Sequence, residues 1–370
     1  MKQEIIARQV AAMGERGWDA IVSVSPENFA YVAGFVVPSQ PLLRHRHAAA
    51  IVAADSRTAL FCVDMEESTV RRNAPDQPLA VWAEFGDDAM RVLAGQLQEM
   101  GLGRGRIGIE FDYLPAGDLH RLRECLPHAD LQPCEQALAR MRQIKTADEI
   151  ALLRRLSRIA DQSISDAYAS AGVGSSEMDI AAALTRGVYT LGADAFKLMI
   201  VATGERSQLP NVGPTQRTLA PRDVCRVEIF AVKDGYQAGV CRTAVVQEAP
   251  EHAEDIWARL VDCKYQTLQA IRPGAGVRDI YRAYLGQMKA SGLPPISFLG
   301  HGIGLHLHEE PYLAIHDDTV LQAGMVLGIE PLVYRSGYGF GMQNKDMVLV
   351  TPTGSELLSD HTDTDRLIVV

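Results

Sequence analysis

Several features are scarce or absent in this 370-residue chain, and each absence excludes a class of protein. No apolar run reaches the roughly 18 residues that a membrane-spanning helix requires. The first twenty positions carry charges every few residues instead of the apolar core of a signal peptide. The net charge of -10 leaves no basic excess for contacting phosphates. We therefore expect a cytoplasmic protein that binds neither membranes nor nucleic acid.

Paired cysteines are also lacking. The 6 cysteines include no Cys-x-x-Cys spacing and lie far apart along the chain. This distribution is typical of free thiols in a reducing compartment, so we expect no disulfide and no zinc cluster. Cys241 lies close to candidate site residues, but no motif surrounds it, and we interpret it as a buried thiol.

The composition that is present indicates two ordinary globular domains. A single hydrophobic core rarely grows past roughly 250 to 300 residues, and 47% hydrophobic with 22% charged residues is usual for soluble proteins. Residues 1–135 alternate short apolar runs with helical stretches, which predicts a small α/β domain. Thr146 and Glu149 form a capping-box pattern that predicts the start of a long helix. The second domain is predicted over 146–370.

A faint internal repeat runs through the second domain. Gly174, Asp179, Ile180 and Gly192 recur at an offset of 100 positions, as Gly274, Asp279, Ile280 and Gly292. Each copy lies in a helix, a glycine-containing turn and a second helix, followed by strand-like segments. The repeat predicts two related α+β halves around a central site.

The first of two predicted β-hairpins carries a carboxylate in the middle of a strand. Asp234-Gly235 is a strong hairpin turn signal, and Glu228 lies in the apolar strand before it. An unpaired buried charge costs several kcal/mol, so Glu228 needs a partner or a chemical role. Two interpretations stay open. Glu228 is a nucleophile or general base, or it is a structural carboxylate paired with Arg226 or Lys345.

The second predicted hairpin joins residues 325–334 to residues 341–350. It places Glu330 inside its first strand and Lys345 inside the returning strand. Between the two hairpins lies the run from Gly300 to Pro311, in which glycines allow close backbone approach and several imidazoles are presented.

This run, followed by the segment from Gly324 to Pro331, resembles the signature shared by methionine aminopeptidases, prolidase, aminopeptidase P and creatinase. The resemblance covers nearly the whole chain, because residues 17–29 resemble the opening of the family's amino-terminal domain and residues 142–150 its domain junction. It implies a pita-bread catalytic domain over 146–370, a creatinase-type amino-terminal domain over 1–135, and a homodimer. The peptidases of this family bind two metal ions through two Asp, one His and two Glu.

Position by position, the resemblance implies a degenerate metal site. His301 and Glu330 match two of the metal ligands, and Glu228 stands in place of the first Asp. Gly239 replaces the second Asp, and Lys345 replaces the last Glu. A protonated amine has no lone pair for a metal, so we expect a site with neither metal nor cofactor. A single ion held by Glu228, His301 and Glu330 is the alternative.

The metal-free members that this chain resembles in part are creatinase and ectoine hydrolase. The resemblance predicts metal-independent hydrolysis of a C–N bond in a small amide, amidine or guanidino substrate. In this hypothesis His301 transfers a proton to the leaving nitrogen, and Glu330 holds or activates the imidazole. Lys345 supplies positive charge for an oxyanion, while Glu228 attacks or activates water.

Three further residues are candidate substrate contacts. His308 matches a substrate-binding His of the peptidases, and Asn211 occupies the position of a catalytic His in creatinase. Arg46 falls near an Arg that reaches the active site from the partner subunit in creatinase, with a solvated surface residue as its alternative. Two other functions remain possible interpretations. One is a metal-dependent Xaa-Pro aminopeptidase or prolidase with an atypical site, and the other is a catalytically silent member that binds a peptide or protein.

Overall fold

The computed structural model describes all residues from 1 to 370 and divides into two compact units, Met1–Met141 and Arg142–Val370. None of its α-helices is long and apolar enough to cross a membrane.

The first unit is built on a mixed six-stranded sheet with the strand order β4-β3-β2-β1-β5-β6. Its strands are β1 Ala20–Ser23, β2 Ala49–Ala53, β3 Thr58–Val63, β4 Leu79–Trp82, β5 Arg106–Ile109 and β6 Asp130–Pro133. Its helices are α1 Gln3–Arg16, α2 Pro26–Ala33, α3 Glu67–Asn73, α4 Ala89–Glu99 and α5 Ala116–Cys125, and α6 Glu135–Gln143 follows at the unit boundary. The core lies between the sheet and its helices, where strand residues such as Ile51, Phe61 and Ile107 are fully buried.

The second unit combines four long helices with one antiparallel sheet and one mixed sheet, in which β17 pairs with β9 in parallel. The helices are α7 Ala147–Ala169, α8 Glu177–Thr190, α9 Ala253–Ala270 and α10 Val277–Ala290. The strands are β7 Ala195–Thr203, β8 Val224–Lys233, β9 Tyr236–Val245, β10 Phe298–Gly302, β11 Glu309–Ala314, β12 Val326–Ile329, β13 Leu332–Val333, β14 Met342–Gln343, β15 Asp346–Val350, β16 Ser355–Leu357 and β17 Ile368–Val369. One sheet has the order β17-β9-β8-β7, the other has the order β11-β10-β12-β15-β16, and β13-β14 form a short ribbon.

Helix α7 starts where the capping-box pattern predicts. The Glu149 backbone N–H donates to Thr146 Oγ1 at 3.2 Å, and the Thr146 N–H donates to Glu149 Oε2 at 2.7 Å. The other Glu149 oxygen accepts from the Tyr236 hydroxyl at 2.8 Å, which ties the first turn of α7 to β9. Such a cap stabilises a helix by about 1 kcal/mol.

The internal repeat is visible in the backbone. Helices α8 and α10 begin and end 100 positions apart, since 277 follows 177 and 290 follows 190 by that offset. Gly174 and Gly274 both turn the chain at positive φ, at 87° and 86°. The Gly174 N–H donates to the Leu219 carbonyl oxygen, and the Gly274 N–H donates to the Leu321 carbonyl oxygen. The predicted pair of related halves is therefore confirmed.

The first hairpin forms as predicted, with Asp234 and Gly235 in the left-handed region at its turn. The second hairpin differs from the prediction in one respect. Glu330 lies just after β12, and Lys345 lies just before β15, instead of inside the strands. Pro331 has no N–H for a ladder hydrogen bond, which explains why the strand does not continue past Glu330. An isolated bridge between Cys241 and Lys345 then joins this hairpin to β9.

Candidate active site

A buried cluster of charged and polar side chains lies where the two hairpins meet. Lys345 Nζ lies 3.1 Å from Glu228 Oε1, 3.4 Å from Glu330 Oε1 and 3.3 Å from His301 Nε2. His301 Nε2 also lies 3.3 Å from Glu330 Oε1. The structure therefore brings together the four residues that the sequence predicted as catalytic. We call this set, Glu228, His301, Glu330 and Lys345, the central cluster.

Two residues that the sequence analysis did not select as site residues hold the carboxylates in place. Gln343 Nε2 donates to Glu330 Oε2 at 2.9 Å and to Glu228 Oε2 at 3.3 Å. Arg226 Nη1 in turn donates to Gln343 Oε1 at 3.0 Å. The signal for both was available, because Arg226 alternates with Glu228 on β8 and Gln343 lies two positions before Lys345.

The tautomer of His301 follows from its neighbours. Its Nδ1 lies 2.8 Å from the Gly302 carbonyl oxygen, which can only accept, so Nδ1 carries a proton. In the neutral ring, Nε2 then accepts from the Lys345 ammonium, and in the protonated ring Nε2 donates to Glu330 Oε1 instead. Gly328 makes this approach possible, because a Cβ there would lie 3.3 Å from Lys345 Cε and 3.5 Å from His301 Cε1.

The cluster is an ionised network. Burial alone would raise the pKa of Glu330, but the Lys345 ammonium and His301 outweigh it and lower that pKa to about 2. For Lys345, burial acts to lower the pKa, whereas Glu228 and Glu330 act to raise it, and the net result is a raised pKa. Both directions agree that the lysine is protonated and Glu330 is deprotonated at neutral pH.

The side chains present do not fit the two metal ions that the resemblance implies. The Lys345 ammonium lies among the groups that would ligate a metal and has no lone pair to offer. Gly239, at the position of the second Asp, faces Phe230, and a Cβ on it would lie 2.2 Å from a carbon of that ring. No group of three or more His, Cys, Asp or Glu side chains is arranged to hold a metal ion.

His308 lies against the cluster. Its ring stacks on His301 with the ring centroids 3.7 Å apart and the planes 20° apart. Burial, followed by the charges of His301 and Lys345, lowers the pKa of His308 to about 4. At neutral pH the ring is therefore uncharged, with one nitrogen as a donor and the other as an acceptor.

A cleft of about 920 Å³ is connected to the central cluster through Arg226 and Gln343, and no member of the cluster lines it. Arg226 lies between the two, since its guanidinium stacks on Tyr334 at 5.1 Å and donates to the Pro210 carbonyl oxygen at 2.9 Å. The cleft is lined by apolar side chains, two guanidinium groups, one carboxylate and one amide: Leu209, Pro210, Pro294, Pro295, Ile296, Tyr334, Arg206, Arg335, Glu205 and Gln208. Arg206 is already paired with buried Glu177 at 3.1 Å.

Two predicted substrate contacts lie outside the central cluster. Asn211 is exposed in the loop that follows the cleft residues Leu209 and Pro210. Arg46 lies in the first unit, where its Nε donates to Glu84 at 2.8 Å. Their roles as substrate contacts, and the homodimer on which the Arg46 role depends, stay predictions.

Comparison with known proteins identifies the family. The model for metallopeptidase family M24 matches residues 151–352, and the model for the creatinase/prolidase N-terminal domain matches residues 6–144. The chain belongs to metallopeptidase family M24. It is 26% identical to an Xaa-Pro dipeptidase of Pyrococcus furiosus, over 98% of this chain and 99% of the relative. It is 24% identical to an uncharacterized peptidase of Bacillus subtilis, over 96% of this chain and 97% of the relative.

Solved structures agree with the expected fold of this M24 chain. A dipeptidase from Pyrococcus horikoshii superimposes with a TM-score of 0.87, at 25% identity, over 99% of this chain and 100% of the other. A prolidase from Thermococcus sibiricus also gives 0.87, at 23% identity, over the whole of both chains. The predicted fold, a smaller amino-terminal domain followed along the chain by a pita-bread domain, is confirmed.

The comparisons contradict the expected activity. Metal-independent, creatinase-like hydrolysis of a small nitrogen-rich compound was predicted, but the similar proteins named for an activity are Xaa-Pro dipeptidases and prolidases. The prediction was wrong because it inferred the substrate from the altered metal ligands alone.

Proposed function

We propose that this M24 chain is a hydrolase that acts on short peptides with an Xaa-Pro bond. The observation that carries the proposal is the cleft that Arg226 and Gln343 connect to the central cluster. Its volume of about 920 Å³ is within the usual range for small-ligand sites, and such sites combine apolar walls with a few polar groups. Tyr334, Leu209 and Pro210 offer apolar contacts for a pyrrolidine ring, and the exposed Arg335 offers a guanidinium for a terminal carboxylate.

The retained family positions support the same substrate class. His301 and Glu330 remain side by side, and neutral His308 presents a donor or an acceptor for a peptide group at the edge of the cluster. The similarity to an Xaa-Pro dipeptidase extends over 98% of the chain, so it includes the segments that line the cleft. No step of the reaction is assigned to a metal ion, because the residues at the centre do not fit one.

Proline release from Leu-Pro by the purified protein tests this proposal, with Leu-Ala as the matched dipeptide without a pyrrolidine ring. We expect release from Leu-Pro only, and loss of release in Glu330→Gln. Arg335→Ala should raise KM about tenfold or more, since a charge-assisted hydrogen bond contributes about 1.5–3 kcal/mol. Arg335→Lys, which keeps the charge, should raise it less. Absence of both turnover and binding across a panel of Xaa-Pro dipeptides would refute the proposal.

A second candidate is a family member that binds such peptides without cleaving them. It is favoured because both carboxylates of the central cluster, Glu228 and Glu330, are already paired with Lys345. Calorimetry distinguishes the candidates. Binding of Leu-Pro without proline release, weakened in Arg335→Ala, would support the binding protein over the hydrolase.

A further inference from the structure

The Lys345 ammonium is surrounded as a metal ion would be. Carboxylate oxygens of Glu228 and Glu330 and the Nε2 of His301 lie 3.1, 3.4 and 3.3 Å from Nζ. On a further side, Nζ lies 4.6 Å from the centroid of the Phe230 ring, a distance at which the ring face attracts a cation. All four partners face one point in the interior, and the lysine itself is 1% exposed.

The backbone holds the ammonium in this position. Lys345 exchanges both backbone hydrogen bonds with Cys241 on β9, each at 3.2 Å. The next residue, Asp346, pairs with Arg242 at 2.9 Å and with Lys264 at 2.7 Å. The side chain of Lys345 therefore leaves a fixed point of the sheet and has no solvent-facing alternative.

Charge balance disfavours an added divalent ion. Glu228 and Glu330 contribute two negative charges, and Lys345 already neutralises one of them. A divalent ion at the same place would lie within contact distance of the ammonium, in a cluster that carries only one net negative charge. Small divalent cations require several carboxylate or imidazole ligands around them.

Space disfavours a second ion. The Phe230 ring fills the volume into which a ligand side chain at position 239 would extend, since a Cβ on Gly239 would lie 2.2 Å from the ring. Gly239 and Lys345, which replace two metal ligands of the family, therefore act together. Gly239 leaves room for the Phe230 ring, and the ring contacts the Lys345 ammonium.

We infer that Lys345 is an internal cation that replaces the metal ions of the M24 centre, and that exchanging this one side chain for a carboxylate creates a site for one divalent ion. The new site would consist of Glu228, His301, Glu330 and the introduced carboxylate. That set of one imidazole and three carboxylates matches a transition-metal site. Only one ion is expected, because Phe230 still occupies the second position.

Metal uptake tests this inference on the full-length protein. Wild type, Lys345→Glu and Lys345→Arg are dialysed against Co²⁺ and Zn²⁺ and then analysed for bound metal and for the visible absorption of Co²⁺. We expect no stoichiometric uptake in wild type or in Lys345→Arg, which keeps the positive charge. Lys345→Glu should take up about one equivalent, show Co²⁺ ligand-field bands and gain thermal stability with the ion.

Lys345→Met provides a second variant in case Lys345→Glu does not fold. It removes the ammonium and leaves three ligands, so we expect weaker but measurable uptake. Stoichiometric, chelator-sensitive metal in the wild type would overturn the inference, as would a folded Lys345→Glu and a folded Lys345→Met that both bind none. If neither variant folds, uptake by the wild type alone decides.

These outcomes are separate from those of the proposed function. Proline release that requires added Mn²⁺ would overturn the internal cation and keep the substrate class. A metal-free wild type with no affinity for Xaa-Pro dipeptides would overturn the proposed substrate class and keep the internal cation.

Discussion

At the scale of single residues, the centre depends on one buried lysine. Burying an ammonium is unfavourable unless carboxylates and hydrogen bonds compensate it, and Lys345 receives that compensation from Glu228 and Glu330. This pairing is one of the two interpretations of Glu228 that the sequence left open. The role of Gln343 was not predictable, because the orientation of an amide side chain across two strands depends on the pairing register.

Lys345→Met should lower the free energy of unfolding by about 3–5 kcal/mol, because it leaves two adjacent buried carboxylates uncompensated. Urea denaturation measures the effect. Those carboxylates would then bind protons more readily in the folded state, so the stability of the variant should fall as pH rises from 5 to 8. Adding Glu228→Gln should recover part of the loss. A loss below about 1 kcal/mol would show that the ion pairs are not the main support of the centre.

The lowered pKa of Glu330 predicts acid sensitivity. The pKa of about 2 in the folded state lies below the ordinary 4.5. The contribution of ionised Glu330 to the free energy of unfolding is therefore fully present above pH 4.5 and is lost as pH falls through 2. The loss should be on the order of 3 kcal/mol. Urea denaturation between pH 5 and 2 should show a steeper decline for wild type than for Glu330→Gln. Equal slopes would mean that other carboxylates dominate acid unfolding.

At the scale of elements, two hairpins position the centre. The Asp234-Gly235 turn fixes the register of β8 and β9, and this register places Phe230 opposite Gly239. The turn was predictable from local sequence because its φ values favour these residues. The filling of the space beside Gly239 by Phe230 was not predictable, since it requires both the register and the ring orientation.

Gly239→Ala should cost about 1–3 kcal/mol by overpacking against Phe230. Adding Phe230→Leu should recover part of that loss by making space. Gly213→Ala is the matched control, since a Cβ there meets nothing within 4 Å, and it should change stability by less than about 0.5 kcal/mol. Thermal unfolding of the four proteins measures this series. Equal effects at the two glycines would contradict close packing at position 239.

At the scale of the second unit, a buried ion network joins segments that are distant in the chain. Arg242 on β9 bonds Asp161 on α7 at 2.9 and 2.8 Å and pairs with Asp346 on β15 at 2.9 Å. Asp161 also accepts backbone N–H bonds from His361 and Thr362, near the end of the chain. The network fixes the strand that carries Lys345 against the first helix of the unit.

Arg242→Met should destabilise the protein by about 3–5 kcal/mol, because it leaves the buried carboxylate of Asp161 without its cation and that of Asp346 with Lys264 alone. Arg158→Met is the matched control. Its pair with Asp360 also joins α7 to the last segment, but the two side chains are 57% and 48% exposed, and such pairs contribute about 0–1 kcal/mol. Chemical denaturation compares the two variants. Similar losses of unfolding free energy in the two variants would contradict the conclusion that buried ion pairs stabilise the unit more than exposed ones.

The sequence by itself determined the two-part organisation, the capped start of α7, the first hairpin, the repeat and the residues of the central cluster. Each of these depends on local patterns or on positions that match a family motif. Only the tertiary structure decided which groups Lys345 contacts, that Phe230 fills the space beside Gly239, and that Arg226 and Gln343 connect a cleft to the cluster. These features depend on side chains from strands far apart in the chain, whose distances are set by register and packing.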